Sequence, residues 1–474
     1  MALQQYRIAE FLGINQSACE NNIYAGESPD ARNMDTAGGQ LAVARGYVRH
    51  CAPAHASPAS VLRLAIWHKD GVRRFVTATA GGLQVLEEGA DAWRTLAAFS
   101  SPAVQADFQA LKIASTEYLL MAGGAQSIVK WDGSASDAAA FGSAAQLSDA
   151  PVGLLELYYG RLFSAGDPNH PCRLYWSCAP GDERTVEDWS QSAASENVGG
   201  GHVEVGTDSD PITGLFALSN QLLIFKRDSL YRLLGDRPSN YRIYPVNASM
   251  AQPVHTACVR VGDVLYFLTE TGMYYFDGQT VRRAADADKI KAFLAGADLS
   301  GCCGAACRDR LYFAVKTGAS AVNNALVTYD LPRGTYMVRD GFTIHGLQAD
   351  GGVLFLLAGD GRVCRFDEGD SYDGAEIRAY WRTPMTDLGG KIAVKQLREL
   401  YLRGTGGVIA VEAISDSGTV FFDRLMPASL TDVLEAPLTG DGRAFCLRLS
   451  NENGAGFTID GGVELLLDAK RRVL

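Results

Sequence analysis

The sequence predicts an all-β protein: a β-propeller of about seven blades, closed by an N-terminal strand and followed by a C-terminal β-sandwich. Two observations lead to this fold class. Apolar runs are short and mostly end in Gly, Asp or Asn, with 51 glycines among 474 residues, which is typical of strands joined by tight turns. These runs also recur at a nearly constant step. The chain is 47% hydrophobic and long enough for two or three domains.

The recurring unit combines an apolar strand, a Gly or Asp turn and a second apolar strand. One equivalent apolar position can be followed through seven such units, at Phe75, Leu119, Leu162, Leu222, Leu265, Leu311 and Leu354. The steps between these positions are 44, 43, 60, 43, 46 and 43 residues, and a four-stranded propeller blade takes about 40–50 residues. The single long step contains a polar insertion, residues 181–201, which we predict to be a surface loop.

Each unit is predicted to be a four-stranded blade, most clearly in residues 256–284. The seventh unit is one strand short. We predict that residues 40–48 supply its missing outer strand, because such closure joins the first and last blades and removes the exposed sheet edges.

The period stops after Gly374, where alternating apolar and polar residues continue for about the length of a β-sandwich. The predicted domains are therefore an N-terminal arm with the closing strand (1–50), the propeller (51–370) and the sandwich (371–474).

Charge and cysteine content restrict the classes of function. The net charge is −11 and no basic patch is visible, which argues against a protein that grips nucleic acid. The ten cysteines are irregularly spaced, as expected of reduced thiols in a protein assembled in a cytoplasm. The N-terminal residues do not have the pattern of a signal peptide, and no run of 18 apolar residues predicts a transmembrane helix.

Two clusters are candidate metal sites. Cys302-Cys303-x3-Cys307 lacks the second ligand pair of a zinc site, so buried thiols are the better interpretation. Asp367, Asp370 and Asp373 do not have the spacing of a calcium loop and are interpreted as an interdomain turn. We therefore predict no catalytic, cofactor-binding or metal-binding residue and a chain that is not an enzyme. Carboxylates brought together from distant blades stay an open alternative.

Three stretches resemble one family. The first, residues 11–47, has a Gly13-Ile14-Asn15 opening, an Asn-bearing middle and a Gly-x-Leu-x-x-x-Arg-Gly-Tyr ending at Tyr47. The second, residues 212–284, is similar to the central blades of the same proteins. The third, residues 380–404, has a Trp-x-Thr strand and then Asp-Leu-Gly. Together they resemble the hub or nozzle proteins in the tails of short-tailed bacteriophages.

This resemblance implies a structural virion protein. Its copies, six in number, would form a closed ring around the DNA channel, supporting virion assembly and genome ejection. Expected partners are the adaptor and fibre proteins, and genomic DNA that passes without specific binding along an acidic wall. The protein would be assembled in the bacterial host cytoplasm. The insertion at 181–201 and the N-terminal arm are predicted to become ordered only on assembly.

Two other classes of protein stay open. A propeller that binds or degrades glycans would bring carboxylates, arginines and aromatic rings together at one mouth. A cellular scaffold of the WD type would repeat Gly-His and Trp-Asp signatures. The Trp-Asp pair occurs in one of the seven units, at Trp131-Asp132.

Overall fold

The fold is built almost entirely of antiparallel strands. The computed structural model describes residues 3–99, 102–123, 127–142, 152–181, 185–191, 195–247, 253, 255–418, 420–425 and 433–470. Within those ranges the helices are short, namely one α-helical turn at Lys291–Leu294 and 3-10 turns at Glu20–Asn22, Ala37–Gly39, Pro58–Ser60, Pro238–Asn240, His255–Ala257 and Ala287–Ile290. The all-β prediction is confirmed.

The N-terminal segment contains five short strands rather than one. They are β1 (Leu3–Ile8), β2 (Asp30–Arg32), β3 (Met34–Asp35), β4 (Leu41–Val43) and β5 (Tyr47–Arg49).

Five four-stranded sheets follow, and in each one the strands pair in chain order as an antiparallel meander. They comprise β6 (Val61–Lys69), β7 (Val72–Thr79), β8 (Gly82–Glu87) and β9 (Arg94–Ala98); β10 (Asp107–Ile113), β11 (Thr116–Ala122), β12 (Val129–Trp131) and β13 (Ala139–Ala140); β14 (Leu154–Tyr158), β15 (Arg161–Ala165), β16 (Arg173–Trp176) and β17 (Gly201–Glu204); β18 (Ile212–Leu218), β19 (Gln221–Lys226), β20 (Leu230–Leu234) and β21 (Arg242–Asn247); and β22 (Cys258–Val261), β23 (Val264–Thr269), β24 (Gly272–Phe276) and β25 (Val281–Arg283). This is the strand layout of propeller blades.

A seven-stranded sheet continues the series. Its strands are β26 (Ala297–Cys307), β27 (Arg310–Thr317), β28 (Asn323–Asp330), β29 (Thr335–Asp350), β30 (Val353–Ala358), β31 (Val363–Phe366) and finally β5. The long strand β29 pairs through its first half with β28 and through its second half with β30. It therefore ends one meander and begins the next.

The predicted repeat position falls on equivalent strands. All seven apolar residues lie in the second strand of a meander, and each is at most 7% exposed. Second strands have neighbours on both edges, and apolar clusters fill the space between consecutive sheets, including the last meander and the first. The period of about 43 residues is thus confirmed as a period of strands.

The strand that completes the last meander starts later in the chain than predicted. Of residues 40–48, Leu41–Val43 pairs with β3 and with the C-terminal strand of the chain, and the pairing with β31 begins only at Tyr47. Gly46 lies between the two parts. Glycine is needed there, because a Cβ atom at this position would lie 1.9 Å from the Ser371 carbonyl oxygen. The sheet assignment changes at this close approach of two backbones.

The insertion at 181–201 also differs from its prediction. Residues 182–184 and 192–194 lie outside the described residues, but Val186 and Trp189 are 4% and 3% exposed. The Arg161 side chain donates hydrogen bonds to the carbonyl oxygens of Ser177 and Gly199 at 2.6 and 2.9 Å. The described part of the insertion therefore packs on the third sheet and is not a free surface loop.

Two further sheets combine both ends of the chain. Their C-terminal strands are β32 (Tyr380–Arg382), β33 (Val394–Gly406), β34 (Ile409–Ser415), β35 (Val420–Leu425), β36 (Leu434–Gly442), β37 (Phe445–Asn451) and β38 (Phe457–Lys470). One sheet has the order β3-β4-β38-β33-β36, with β1 also on β38, and the other has the order β2-β32-β37-β34-β35. The described part of the N-terminal arm is thus built into intrachain sheets, which differs from an arm that becomes ordered only on assembly.

Asn33, in the middle of the first resemblance stretch, joins the N-terminal segment to the rest of the molecule. Its side-chain amide group donates hydrogen bonds to Asp340 Oδ1 and to the Arg378 carbonyl oxygen at 3.0 and 2.8 Å. Its Oδ1 accepts from the Asp340 amide at 2.8 Å and from the Tyr372 hydroxyl at 3.0 Å. The residue is 2% exposed and has a φ of 55°, a conformation that asparagine tolerates better than most residues.

Other residues of the resemblance meet in the same region. The Ile14 amide donates to the Tyr336 carbonyl oxygen at 2.8 Å. Phe11 packs edge-on against Trp381, with 5.4 Å between ring centroids. We call Phe11, Asn33, Gly46, Tyr372 and Trp381 the junction, because they connect the N-terminal segment, the seven-stranded sheet and the C-terminal sheets.

We predict that Asn33→Ala lowers the free energy of unfolding by about 3–5 kcal/mol, because it leaves several buried polar groups without partners. Urea denaturation monitored by circular dichroism measures this change. Asn453 is a matched control, since it is exposed and has a similar φ of 51°. Asn453→Ala should cost only about 1 kcal/mol, the cost of the backbone conformation. Equal losses in the two variants would contradict the assigned role of the Asn33 side chain.

Candidate functional site: a central cavity

A cavity of about 600 Å³ lies where the first strands of several meanders begin. Its described lining comes from six of the meanders and the turns before them, at Ala59, Val61, Leu62, Val104, Gln105, Ala106, Thr213, Arg227, Pro253, His255, Thr256, Ser300, Gly301, Cys303, Lys316, Ala321, Val322, Asn323, Ile344 and His345. We call it the central cavity. The pairing of β26 shifts between Asp298 and Cys303, and this bulge contributes Ser300 and Gly301.

The polar groups of the central cavity comprise cations, histidine rings, hydroxyl groups and amides. They include the cations of Arg227 and Lys316 and two histidine rings, and none of the described lining residues is Asp or Glu. Burial lowers the pKa of His345, although a hydrogen bond from the ring to the Gly359 backbone opposes this, so the ring is mostly neutral at pH 7. His255 stacks on Phe216 with 4.7 Å between ring centroids.

A buried carboxylate, Asp107, lies behind His255. Its Oδ1 is 2.8 Å from Arg63 Nη1, and its Oδ2 is 3.1 Å from His255 Nε2 and accepts from the Leu155 amide at 3.0 Å. Burial alone would raise the pKa of Asp107, but the charges of Arg63 and His255 and these hydrogen bonds hold it below the ordinary value. Asp107 is 2% exposed and both of its oxygens are engaged, so it connects the second meander to the first, to the third and to the turn before the fifth.

The pKa of the adjacent carboxyl group, Glu156 of β14, is shifted in the opposite direction. Burial, together with the negative charge of Asp107, raises the pKa of Glu156 to about 8, and Arg260 only partly compensates. Two carboxyls with separated pKa values are the arrangement used in acid–base catalysis. Neither of them is among the described lining residues of the central cavity, however, so this lining presents no carboxyl pair to a ligand.

The three cysteines of the candidate metal cluster lie in one strand. Cys302, Cys303 and Cys307 share β26, and burial raises the pKa of each thiol. Within the part of the chain that the structure describes, no group of three His, Cys, Asp or Glu side chains is arranged to hold a metal ion.

Two aspartates of the predicted interdomain turn, Asp367 and Asp373, contact cations of the protein. Asp367 accepts hydrogen bonds from Arg339 and, at 2.7 Å, from the Tyr312 hydroxyl. Asp373 accepts one from Arg49 at 2.6 Å. Both carboxylates therefore stabilise contacts between strands.

Among the helices in the described residues, none is long and apolar enough to cross a membrane.

Comparisons with known proteins add little to this geometry. No known family profile matches the chain, and no curated protein matches its sequence. Among solved structures, the AfRom2 CNH domain is 9% identical with a TM-score of 0.42, covering 68% of this chain and 99% of that domain. The WD40 domain of Neurospora crassa Pan2 is 10% identical with a TM-score of 0.40, covering 68% and 94%.

The extracellular domain of a hybrid two-component system from B. thetaiotaomicron is 12% identical with a TM-score of 0.43, covering 81% of this chain and 46% of that one. TM-scores below 0.5 carry no argument about fold or function. The site must therefore be interpreted from its own residues.

We predict that Glu156→Gln flattens the dependence of stability on pH. The folded state holds a proton on Glu156 between pH 4.5, the ordinary pKa, and about 8, so the wild type loses stability as the pH rises through this range. The variant should gain about 1–3 kcal/mol relative to wild type between pH 5 and pH 9. Urea denaturation across this range measures the difference. Glu117→Gln, at an exposed position near the start of β11, is the control and should change nothing; parallel profiles for Glu156→Gln and wild type would refute the assignment.

Proposed function

We propose that this protein is a structural subunit of a bacteriophage tail, a hub- or nozzle-like component of a ring around the DNA channel, and is not an enzyme. The observation that carries the proposal is the junction. Residues from the first and third resemblance stretches contact each other there, as in Phe11 with Trp381, which are 370 positions apart. A resemblance whose separate parts are in contact supports a shared architecture.

We further propose that the meanders form a closed seven-bladed propeller. Most first strands contact the first strand of the next meander, and the fourth meander contacts the fifth through the 3-10 turn His255–Ala257. The strand β29 contacts β6, which is the contact expected between the last blade and the first. The strand β5 adds the fourth strand to the last meander. The two terminal sheets have strand numbers and a common apolar core that favour a β-sandwich.

Closure by β5 can be tested at Val48, which pairs with Arg365. The His50 amide donates to the Val363 carbonyl, and ladder hydrogen bonds alternate, so the Val48 N–H points towards β31. Val48→Pro removes this donor and should lower the free energy of unfolding by about 3 kcal/mol or more. Val48→Ala keeps the donor and should cost less than about 1.5 kcal/mol. Closure by β5 is wrong if urea denaturation gives the same stability for both variants.

The net charge of the chain supports the proposed ring around DNA. A net charge of −11 suits a conduit through which DNA slides without sticking. A closed ring needs two different patches on each subunit that meet by rotation. We expect six copies, with adaptor and fibre proteins as neighbours.

Cryo-electron microscopy of the purified protein and of its parent particle tests this assembly. The expected result is a closed ring around a channel, located on a tail or neck, with mass photometry giving a multiple of 50.8 kDa. A monomer at all concentrations, absent from any virion, would overturn the tail function.

A second candidate, a propeller that binds or degrades glycans, is favoured by one observation. Hydroxyl and amide groups of several meanders converge on the central cavity. The position of Asp107 and Glu156 outside its described lining favours binding over degradation. Binding of neutral oligosaccharides to the monomer would support this candidate.

A further inference from the structure

A lysine, a glutamate and an asparagine form a connected group where the N-terminal segment meets the 3-10 turn Ala287–Ile290. Glu27 Oε1 lies 3.1 Å from Lys289 Nζ, and Glu27 Oε2 accepts a hydrogen bond from Asn15 Nδ2 at 2.7 Å. The Gln16 amide donates to the Lys289 carbonyl oxygen at 2.8 Å, so the two backbones are joined as well. One carboxylate therefore contacts both an amine and a carboxamide that come from distant parts of the chain.

The group is largely shielded from water. Glu27 and Asn15 are 3% and 7% exposed, and the Lys289 side chain is 21% exposed. The Tyr24 amide donates to Glu27 Oε2 at 3.1 Å and so helps to orient the carboxylate. Burial alone would lower the pKa of Lys289, but its contacts with Glu27 and Asp286 raise it above the ordinary value. Lys289 Nζ is thus an ammonium group, and Glu27 is the closer of the two bases that can take its proton.

Both ends of the Asn15 carboxamide have the partners that acyl transfer requires. Its Oδ1 accepts hydrogen bonds from the Ser17 amide at 2.9 Å and from the Ser17 hydroxyl at 2.6 Å. Two donors at one carbonyl oxygen stabilise the negative charge that develops there when a nucleophile adds to the carbon. At the other end, Glu27 contacts the nitrogen that would leave. The arrangement thus combines a nucleophile, an activated carbonyl group and a shared acid–base.

We propose that Lys289 and Asn15 become joined by an isopeptide bond, with Glu27 as the general acid and base. Glu27 takes one proton from the Lys289 ammonium group, and the resulting amine adds to Asn15 Cγ. Glu27 then passes this proton to Nδ2, the Cγ–Nδ2 bond breaks, and ammonia leaves with the second proton of the attacking nitrogen as ammonium. The new amide ties the N-terminal segment covalently to the turn after the fifth meander. The reaction needs no oxidant, and the proposal does not depend on the tail function.

Intact-mass spectrometry of the purified full chain tests the proposal. The expected mass is that of the sequence less one ammonia. In a tryptic digest, residues 8–32 should be linked to residues 284–291, because trypsin cannot cleave after a Lys289 whose amine has become an amide. A folded chain that keeps the sequence mass, with cleavage after Lys289, overturns the proposal. Loss of ammonia without the linked peptide, as from a succinimide, also overturns it.

Two variants test the assigned roles. Glu27→Gln removes the acid–base at nearly constant size, and Lys289→Arg keeps a cation beside Glu27 that cannot be deprotonated. Both should retain the sequence mass. Lys291→Arg is the matched control, since Lys291 is exposed two positions further along, and it should lose ammonia as the wild type does.

Circular dichroism checks that each variant is folded, and if Glu27→Gln is not, Lys289→Arg decides. Loss of ammonia from folded Glu27→Gln at the wild-type rate would show that Glu27 is not the acid–base. A linked peptide in folded Lys289→Arg would show that another amine reacts. Either result refutes the assignment.

Discussion

The buried guanidinium of Arg339 imposes a constraint on which the connection between the two halves of the molecule depends. Arg339 is 1% exposed, and a charge so deeply buried must be neutralised by nearby carboxylates. One is Asp367, directly after β31, and the other is Asp35, 3.9 Å away in the N-terminal segment. Burial would raise the pKa of Asp35, but hydrogen bonding from Arg310 and the charges of Arg339 and Arg310 hold it below the ordinary value. A carboxylate of the N-terminal segment therefore helps to neutralise a buried charge of the seven-stranded sheet.

The repeat could be predicted from the sequence because second strands are apolar on both faces, and that pattern needs no knowledge of partners. The sheet assignment of residues 40–48 could not be predicted fully, since apolar alternation does not say which edge a strand joins. The change occurs at Gly46, where the approach to Ser371 comes from a residue 325 positions later in the chain. The burial of Trp189 within a polar insertion was missed for a similar reason, because the surface that covers it belongs to another part of the chain.

The site was harder to predict than the fold. Asp107 and Glu156 are 49 positions apart, and each alone is an ordinary polar residue in a first strand. Only the register of neighbouring meanders brings the Leu155 amide to Asp107 and so determines that one carboxyl is ionised while the next holds a proton. The sequence signal that remains is modest, namely charged residues at positions where a first strand would otherwise be apolar.

The use of both ends of the chain in shared sheets has a consequence for assembly. Strands β1 to β4 complete the two terminal sheets, and β5 completes the last meander, so these segments make intrachain contacts that an exchange between subunits would have to break. A ring of such subunits would therefore be built from preformed surfaces, through loops and hairpin tips, rather than by exchange of N-terminal arms. Subunits that fold first and associate afterwards need heterologous patches of complementary shape and charge. The junction fixes the terminal sheets against the repeat, so in the proposed ring it would determine how two such patches are oriented.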